Sequence, residues 1–387
     1  MATASPLAPH SFEDAAAALA AATAEGRTVR IVGAGTKRGW GRQDGAPDIE
    51  LHTTGLDEIV EHNAGDLTAT IQTGASLAFA QRTFAAAGQM LALDPPLGAT
   101  NGDAAGPGPT IGGVIATGDC GPLRHRYGAP RDLVVGMTIA LSDGTIAQAG
   151  GKVIKNVAGY DLAKLFSGAF GTLGLILSVN VRLHPLQETS VTALGAASDP
   201  QRLSAAAVAL TAAPLEFEAL DVAWRGGRGG LLARCAGREG GRRARRAARL
   251  MQEHGLSGVD ITDPDGQLWE RQRAGQRSFG RAIVRVAAAP SALPAVVAAG
   301  DACDATLVGR AALGQSFLEL EPGAVGELRG RLPAGAAAVV LDSPPGAITG
   351  EDPWGLVEGP ALELMRRLKA RFDPAGTCNP GLFVGGI

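Results

Sequence analysis

The sequence predicts an α+β protein with at least two domains. Its 387 residues exceed the roughly 150 of an ordinary domain. The 55 glycines lie in short clusters between apolar runs and form no low-complexity tract. Segments with helical periodicity and segments with strand alternation follow one another along the chain. These three observations indicate globular domains with many specified turns, short strands and packed helices.

Residues 1–90 are predicted to form a first α+β subdomain. Ser11 is a helix cap in front of an alanine-rich amphipathic segment, and the alternating apolar residues after it are typical of strands. The predicted elements are a helix from Ser11 to Ala24, strands Thr28–Val32, Asp48–Leu51 and Thr68–Thr73, and a helix from Ser76 to Ala87.

Residues 91–187 are predicted to form a second α+β subdomain, in which glycine turns alternate with apolar strands. Asp143-Gly144 is a strong hairpin signal. Asp161 is placed to cap a short helix over Leu162–Phe166, and Gly168 to end it. The predicted strands are Thr110–Ala116, Leu133–Ser142, Gly144–Ala149 and Gly174–Leu183.

Residues 188–347 are predicted to form a separate α+β cap domain. This part contains alanine-rich helices and short strands such as Leu231–Cys235 and Ala282–Val286, without a glycine-rich binding loop. Residues 348–387 contain an amphipathic helix near Ala361–Arg371 and a turn at Asp373–Gly376. We expect this last segment to return to the first domain.

Composition excludes several classes of protein. The four cysteines, Cys120, Cys235, Cys303 and Cys378, form no CxxC pair, so we expect reduced thiols and no local zinc or iron–sulfur site. A formal charge of −3 and an aromatic content of 4% argue against nucleic-acid binding. We expect no membrane span and no signal peptide, and hence a cytoplasmic chain, at most peripheral to the inner face of the membrane.

The first glycine loop directly follows a predicted strand and offers backbone N–H groups to an anion such as a pyrophosphate. It consists of Gly33, Ala34, Gly35, Thr36 and Lys37. An ordinary turn is the alternative. A Rossmann loop is disfavoured, because Gly39 comes one residue too late and Trp40 and Pro47 do not propagate a helix.

A second glycine signal spans Thr110–Gly118 and Gly121-Pro122, after Asp94-Pro95-Pro96. Two such loops could form the other wall of a cleft in which an elongated ligand contacts bare backbone. The alternative is that these glycines only permit tight crossings of strands.

Several motifs resemble, in order and spacing, the FAD domain of the PCMH-type (vanillyl-alcohol oxidase) superfamily. They are Thr110–Gly113, Tyr127-Gly128 with Asp132, Ser142–Gly144, Lys155–Asp161 and Gly168–Gly174. The run Gly150–Asp161 after Gly118–Pro122 is most similar to the FAD-binding E subunits of bacterial glycolate oxidases. The similarity covers about half of the chain strongly, with Asn379-Pro380-Gly381 added at the end.

The resemblance implies a PCMH-type FAD-binding domain of two α+β subdomains with a separate cap. Pro95, Gly171, Ile176 and Asn379 would lie at the adenine or isoalloxazine ends, and the glycine loops at the pyrophosphate and ribityl groups. The implied cofactor contacts are Gly33, Ala34, Gly35, Thr36, Lys37, Pro95, Thr110, Ile111, Gly112, Gly113, Thr117, Gly118, Gly121, Gly171, Ile176 and Asn379.

The chain also departs from the family. Thr36 and Lys37 stand where many covalent relatives have a histidine, so we expect non-covalent FAD. Leu382 follows Gly381 where many relatives have a cation. For Tyr160 and Asp161 we favour a structural role.

The resemblance further implies a subunit of a multi-subunit glycolate oxidase, which oxidises a small 2-hydroxy acid. Its partners would be a catalytic FAD subunit and an iron–sulfur subunit. The histidine-rich HxGDGNxH motif of the catalytic subunit is missing, so no catalytic residue is assigned; His125 and His254 are interpreted as structural or surface residues.

Two alternatives remain open. One is a self-sufficient dehydrogenase that uses Arg124, His125 or Arg126, and the other is a flavin-free assembly subunit. An arginine run from Arg238 to Arg249 is interpreted as a solvated helix face or, alternatively, a docking surface for an acidic partner or an anionic lipid surface.

Overall fold

The computed structural model describes residues 5–43, 45–97, 108–152, 161–348 and 350–387. The motif residues Lys155, Asn156 and Tyr160 lie outside them. The first region contains β1 (Ser5–Leu7), α1 (Phe12–Ala24), β2 (Val29–Val32), β3 (Ile49–His52), β4 (Ile59–Asn63), β5 (Thr68–Gln72), α2 (Leu77–Ala85), β6 (Gln89–Met90), α3 (Ile111–Thr117), α4 (Arg124–Tyr127), α5 (Pro130–Leu133), β7 (Val134–Ala140), β8 (Ile146–Gly150), α6 (Ala163–Phe166), β9 (Leu175–Arg182) and β10 (His184–Pro185).

The second region and the C-terminal segment follow in the chain. They contain β11 (Ser190–Ala197), α7 (Pro200–Ala212), β12 (Ala219–Arg225), β13 (Arg228–Ala236), α8 (Gly240–Glu253), β14 (Ser257–Thr262), α9 (Gly266–Ala274), β15 (Ala282–Ala287), α10 (Leu293–Ala302), β16 (Thr306–Arg310), β17 (Gln315–Leu320), α11 (Val325–Arg331), β18 (Ala337–Asp342) and α12 (Pro360–Phe372). Short 3₁₀ turns occur at Thr53–Gly55, Pro290–Ala292, Pro322–Ala324 and Val384–Gly386.

The first region is built on two main sheets. A parallel sheet has the order β1-β3-β2, and an antiparallel sheet has the order β4-β5-β9-β7-β8. Helix α1 begins where Ser11 accepts the N–H of Asp14, and its face of Ala15 and Leu19 packs against both sheets. The antiparallel sheet joins strands from both sides of residue 90, so the predicted subdomain boundary does not coincide with a sheet boundary.

The segment Thr110–Ala116 forms helix α3, so the strand predicted there is wrong. Thr110 Oγ1 caps the helix by accepting the N–H of Gly113 at 3.1 Å, and Gly118 ends it in the left-handed region at φ 64°. A short apolar run fits a strand and a buried helix equally well by periodicity. The capping geometry decides between them.

The hairpin predicted at Asp143-Gly144 is confirmed, since β7 and β8 pair on either side of it and Gly144 has φ 85°. The predicted cap at Asp161 is wrong. Leu162 is the first flanking residue of α6 and forms no side-chain cap, while the Asp161 carboxylate lies 3.0 Å from Lys164 Nζ. The ion pair one turn along the helix replaces the cap.

The second region is an eight-stranded antiparallel sheet with the order β14-β11-β13-β12-β16-β17-β15-β18. Helices α7, α8, α10 and α11 share its main core, which includes Leu210, Met251 and Leu318. Trp269 of α9 packs on Leu232 in a separate cluster. None of the helices that the structure describes is both long and apolar enough to cross a bilayer.

The C-terminal segment contacts the first region. After α12, Val29 of β2 donates its N–H to Thr377 O at 2.8 Å, and Asn379 donates its N–H to Val29 O at 2.9 Å. The buried Asp373 carboxylate accepts the N–H groups of Thr377 and Cys378 and holds this turn. The domain limits at residues 187 and 347 remain predictions.

Candidate functional site

A cavity of about 290 Å³ lies where the first glycine loop faces α3 and the C-terminal segment. Most of the residues selected from sequence line it. They are Gly33, Ala34, Gly35, Thr36, Lys37, Thr110, Gly112, Gly113, Thr117, Gly171, Ile176 and Asn379. Pro95, Ile111, Gly118 and Gly121 do not. The side chain of Ile111 is instead buried in the core beneath α3.

The first glycine loop leaves its backbone donors available. Among the described residues, no acceptor takes the N–H groups of residues 33–37, whereas the next residues, Arg38 and Trp40, donate to Gly35 O and Lys37 O. Gly35 has φ 74°, a conformation that favours glycine. Successive backbone N–H groups of this kind form a concave site for an anion.

The second glycine loop uses its donors internally. Ile111, Gly112 and Gly113 donate their N–H groups to Ala75 O, Thr73 O and Thr110 Oγ1. A Cβ atom at Gly112 would lie 2.7 Å from Thr73 Cβ, and one at Gly33 would lie 2.3 Å from Thr110 Oγ1. Gly112 and Gly33 therefore permit close packing against Thr73 and Thr110.

Three cations line the cavity, and they differ in their partners. The Arg38 guanidinium donates two hydrogen bonds to the Glu50 carboxylate. Lys37 Nζ lies 3.1 Å from Asp119 Oδ2, and the side chains of Lys37 and Asp119 are both buried. Arg30 of β2 has no carboxylate within ion-pair distance in the described part of the chain. Burial lowers the pKa of Arg30 while Glu50 raises it. Arg30 is thus the cation available to a bound anion.

Sequence reasoning missed Arg30. The only signal is that it is the one charged residue in the predicted strand Thr28–Val32. Which face of a strand is directed at a cavity depends on pairing, which the strand alone does not specify.

Asn379 lines the cavity, but the polar atoms of its side chain form hydrogen bonds within the protein. Its Oδ1 accepts the N–H of Ile31 at 2.8 Å, and its Nδ2 donates to Phe170 O at 2.7 Å. A Cβ atom at Gly171 would lie 2.7 Å from that Nδ2. Asn379 therefore positions the wall of the cavity, on a backbone with φ 44°.

The second region holds both glycine loops through arginines. Arg277 donates to Thr36 O at 2.9 Å while pairing with Asp342, and Asp342 also accepts the indole N–H of Trp40. Arg310 donates to Gly121 O at 3.2 Å while pairing with Asp221 at 2.7 Å. Each loop is therefore held by one guanidinium group from the second region.

The Arg310–Asp221 pair is fully buried, and Asp94 lies in the same charged cluster. Burial raises the pKa of Asp94 to about 7 and that of Asp221 to about 6, although nearby arginines act in the opposite direction. A buried pair of this kind is strongly unfavourable to break, because one charge is then left alone.

A second set of cations faces the loop after α3. Arg285 projects from β15, is half-buried, and interacts electrostatically with Asp119, Cys120 and Arg124. Burial lowers its pKa, and Cys120 and Asp119 raise it. In the described residues it has no ion-pair partner. The sequence signal for Arg285 was a single charge within the apolar strand Ala282–Val286.

The histidines do not come together. Burial and the neighbouring Arg126 lower the pKa of His125, so it is neutral, and its buried Nδ1 has no hydrogen-bond partner. His184 packs its ring 4.7 Å from that of Tyr127, and His254 follows the end of α8. The described residues thus contain no histidine cluster at the cavity.

The residues present fit an anionic dinucleotide. The free N–H groups of the first loop and Arg30 could hold a pyrophosphate, and bare backbone at Gly113 leaves room beside it. A volume of about 290 Å³ is at the small end for ligand cavities, so the cavity would enclose only part of a dinucleotide.

Comparison with known proteins agrees with this chemistry. The FAD binding domain family matches residues 5–150. The chain is 37% identical over 139 residues to the glycolate oxidase subunit GlcD of Bacillus subtilis, covering 36% of this chain and 28% of that protein. It is 36% identical over 134 residues to the glycolate oxidase subunit GlcE of Escherichia coli, covering 35% of this chain and 36% of that protein. The matches thus span about a third of these curated relatives.

The fold extends further than the sequence similarity. Solved structures of alkyldihydroxyacetonephosphate synthase superpose with a TM-score of 0.70 over 97% of this chain and 76% of that one, at 13% identity. That likeness concerns the fold alone. Residues 5–150 thus match an FAD binding domain, the chain has an α+β fold like that of alkyldihydroxyacetonephosphate synthase, and the comparisons indicate FAD as the cofactor.

Proposed function

We propose that this chain is the FAD-binding subunit of a multi-subunit glycolate oxidase, which supports oxidation of glycolate to glyoxylate. One observation carries the proposal. The first glycine loop presents five N–H groups without an internal acceptor to a cavity that also contains Arg30 and Lys37. Similarity to two glycolate oxidase subunits supports the reaction class.

The residues have distinct roles in this proposal. Residues 33–37 and Arg30 bind the pyrophosphate, Thr110 and Thr117 line the ribityl part, and Gly171, Ile176 and Asn379 shape the remaining wall. These residues would hold FAD, which would supply hydride acceptance and electron transfer. Arg277 and Arg310 orient the two loops from the second region.

The subunit role rests on what a hydroxy-acid dehydrogenase needs besides flavin. Removal of hydride requires a base for the hydroxyl proton and cations for the carboxylate. The described chain offers cations but no histidine cluster at the cavity. We therefore assign the base to a catalytic FAD subunit, with an iron–sulfur subunit receiving the electrons.

A self-sufficient 2-hydroxy-acid dehydrogenase is the second candidate, and one observation favours it. Arg124 and Arg285 both interact with Cys120, so two cations could bind a carboxylate there. His125 lies next to Arg124 in α4 and is neutral, as a proton acceptor must be.

The two candidates differ in what the isolated chain does. The FAD-loaded chain is mixed with glycolate or D-lactate and an artificial electron acceptor, first alone and then with the histidine-bearing partner subunit. We expect negligible turnover alone and turnover in the complex, and His125→Ala should leave the latter largely intact. Turnover by the chain alone that is lost in His125→Ala and in Arg285→Met would establish the second candidate.

A further experiment tests the flavin itself. A tagged chain is purified from its native host, its visible spectrum is recorded and the bound proteins are identified. A yellow chain with partner subunits supports the proposal. A colourless chain with partners would favour a flavin-free assembly subunit, and a yellow chain without partners would favour the self-sufficient enzyme.

A further inference from the structure

An arginine-lined groove of about 760 Å³ lies on the second region, away from the flavin cavity. One wall is helix α8, and the other is formed by residues 214–218 together with Arg126 and Tyr127 of α4. Its charged lining comprises Arg126, Arg238, Arg242, Arg243, Arg246, Arg249, Glu216, Glu218 and Glu239. Six arginines against three glutamates leave an excess of three positive charges, whereas the whole chain carries −3.

The glutamates of the groove are already engaged. Glu216 lies 3.6 Å from both Arg126 and Arg243, and Glu239 pairs with Arg242 at 2.6 Å. Glu218 accepts the hydroxyl of Tyr127 at 3.2 Å. The positive excess therefore resides on the other arginines of the groove.

Those other arginines are Arg238, Arg246 and Arg249. All three are exposed, and within the part of the chain that the structure describes none has a carboxylate at ion-pair distance. Three unpaired guanidinium groups facing one groove repel one another. An anionic ligand would relieve that repulsion.

The floor of the groove is preformed. Arg243 donates from Nη1 to Glu216 O at 2.8 Å and from Nη2 to Ala236 O, which fixes its guanidinium. Its Nε is buried and has no acceptor. The two bonds to carbonyl oxygens therefore hold the Arg243 side chain in the wall of the groove.

We propose that this groove docks an acidic segment of a partner protein. Arg242, Arg246 and Arg249 lie on one face of α8 at intervals of four and three residues, or about 6 Å and 4.5 Å along the axis. Side chains on one side of an extended chain repeat about every 6.6 Å. Alternate carboxylates of an extended acidic segment therefore lie within reach of the long side chains of Arg246 and Arg249, and guanidinium groups bind carboxylates with paired hydrogen bonds.

The concave shape decides between an acidic protein segment and a lipid surface. Peripheral proteins bind bilayers through basic residues together with apolar side chains that enter the interface. Here the arginines line a groove, so an inserted peptide contacts both of its walls, whereas a flat surface contacts only its rims. None of the groove residues lines the flavin cavity, so this proposal stands independently of the proposed function.

The test measures binding of a fluorescent peptide of about eight glutamates to the full, FAD-loaded chain by anisotropy. The double variant Arg246→Glu/Arg249→Glu should bind about tenfold more weakly or worse, because two attractions become repulsions. Arg245→Glu is the matched control. It makes the same charge change on an exposed residue of the same helix outside the groove, and should change the affinity by less than about twofold.

The flavin spectrum confirms that each variant is folded, and Arg246→Gln/Arg249→Gln replaces the double variant if it is not. Three results would overturn the proposal: no binding of the peptide, an equal loss in Arg245→Glu, or binding to phosphatidylserine vesicles that is stronger than peptide binding and is lost in the double variant. The last of these would show a lipid surface as the occupant.

Discussion

The two glycine loops have similar compositions and opposite uses of their backbone. In the first loop, the N–H groups of residues 33–37 have no internal acceptor among the described residues, and the loop faces the cavity. In the second, the N–H groups of Ile111, Gly112 and Gly113 are all taken by the protein. A glycine-rich stretch is therefore not in itself an anion site. What matters is whether its donors are left unpaired.

Individual glycines in and beside the two loops are required to different degrees. A Cβ atom at Gly121 would lie 1.8 Å from Asp94 O, and one at Gly33 would lie 2.3 Å from Thr110 Oγ1, whereas one at Gly39, just after the first loop, would meet nothing within 4 Å. Gly121 is therefore needed for packing in the protein without its cofactor, and the variants below should separate stability from flavin binding.

The largest expected effect is on folding. Gly121→Ala forces its Cβ against the backbone of Asp94, and we expect a loss of about 3 kcal/mol in the free energy of unfolding. Urea denaturation of the FAD-free protein measures it. Gly39→Ala is the control and should change stability by less than about 1 kcal/mol. Equal effects in the two variants would show that the close contact at Gly121 does not determine stability.

The next effect is on cofactor retention. A Cβ atom at Gly113 meets only Thr110 Oγ1, at 3.2 Å, so Gly113→Glu should fold but place a carboxylate against the phosphates. The variant should emerge colourless from gel filtration, while Gly113→Ala keeps its flavin. A folded Gly113→Glu that retains FAD as well as the parent does would show that Gly113 is not at the cofactor.

A graded effect is expected at the first loop. Arg30→Gln removes the cation without a partner and should weaken FAD binding about tenfold to a hundredfold, as for the loss of a hydrogen bond to a charged group. Arg38→Gln, whose charge Glu50 already neutralises, should weaken it less. Flavin fluorescence titration gives both dissociation constants, and equal values would move the phosphates away from Arg30.

The pH dependence tests the cluster behind the second loop. The pKa of Asp94 is about 7 in the folded protein, above the roughly 3.9 of an unfolded chain, so the folded state binds the extra proton between these values. The stability that protonated Asp94 contributes is complete below about pH 4. As pH rises towards 7, the free energy of unfolding falls by up to about 1.4 kcal/mol per pH unit. Asp94→Asn should flatten the measured slope, and an unchanged slope would contradict the assignment.

The smallest expected effect is on covalent attachment. Burial raises the pKa of the Cys120 thiol, so a reactive thiolate is disfavoured there. Acid precipitation should release the flavin into the supernatant equally from the parent and from Cys120→Ser. Flavin fluorescence that stays in the parent pellet alone would reveal a bond to this cysteine.

Much of the local structure could be predicted from sequence because its causes are local. The Ser11 cap and the Asp143-Gly144 hairpin depend on neighbours within a few residues. Helix α3 could not be assigned by periodicity, since an apolar run with two glycines suits both types of element. The eight-stranded sheet was also hard to foresee, because strands such as β11 are rich in alanine and glycine, which have low strand propensity.

The site was less predictable where its parts come from distant segments. Arg277 reaches Thr36 across 241 positions, and Arg310 reaches Gly121 across 189. No motif near either arginine marks this contact. The directions of Arg30 and Arg285 likewise depend on how their strands pair, which is a property of the assembled sheets.

The pairing of Val29 with Cys378 has a consequence for biosynthesis. The first loop follows β2 directly, yet the contact between Ile31 and Asn379 spans 348 positions of the chain. Contacts of such sequence separation form slowly, because a long loop must close first. During synthesis, the wall of the cavity at Asn379 is therefore missing until that residue has been added. Flavin uptake should then follow synthesis of Asn379, and a nascent chain that ends before it should bind little FAD.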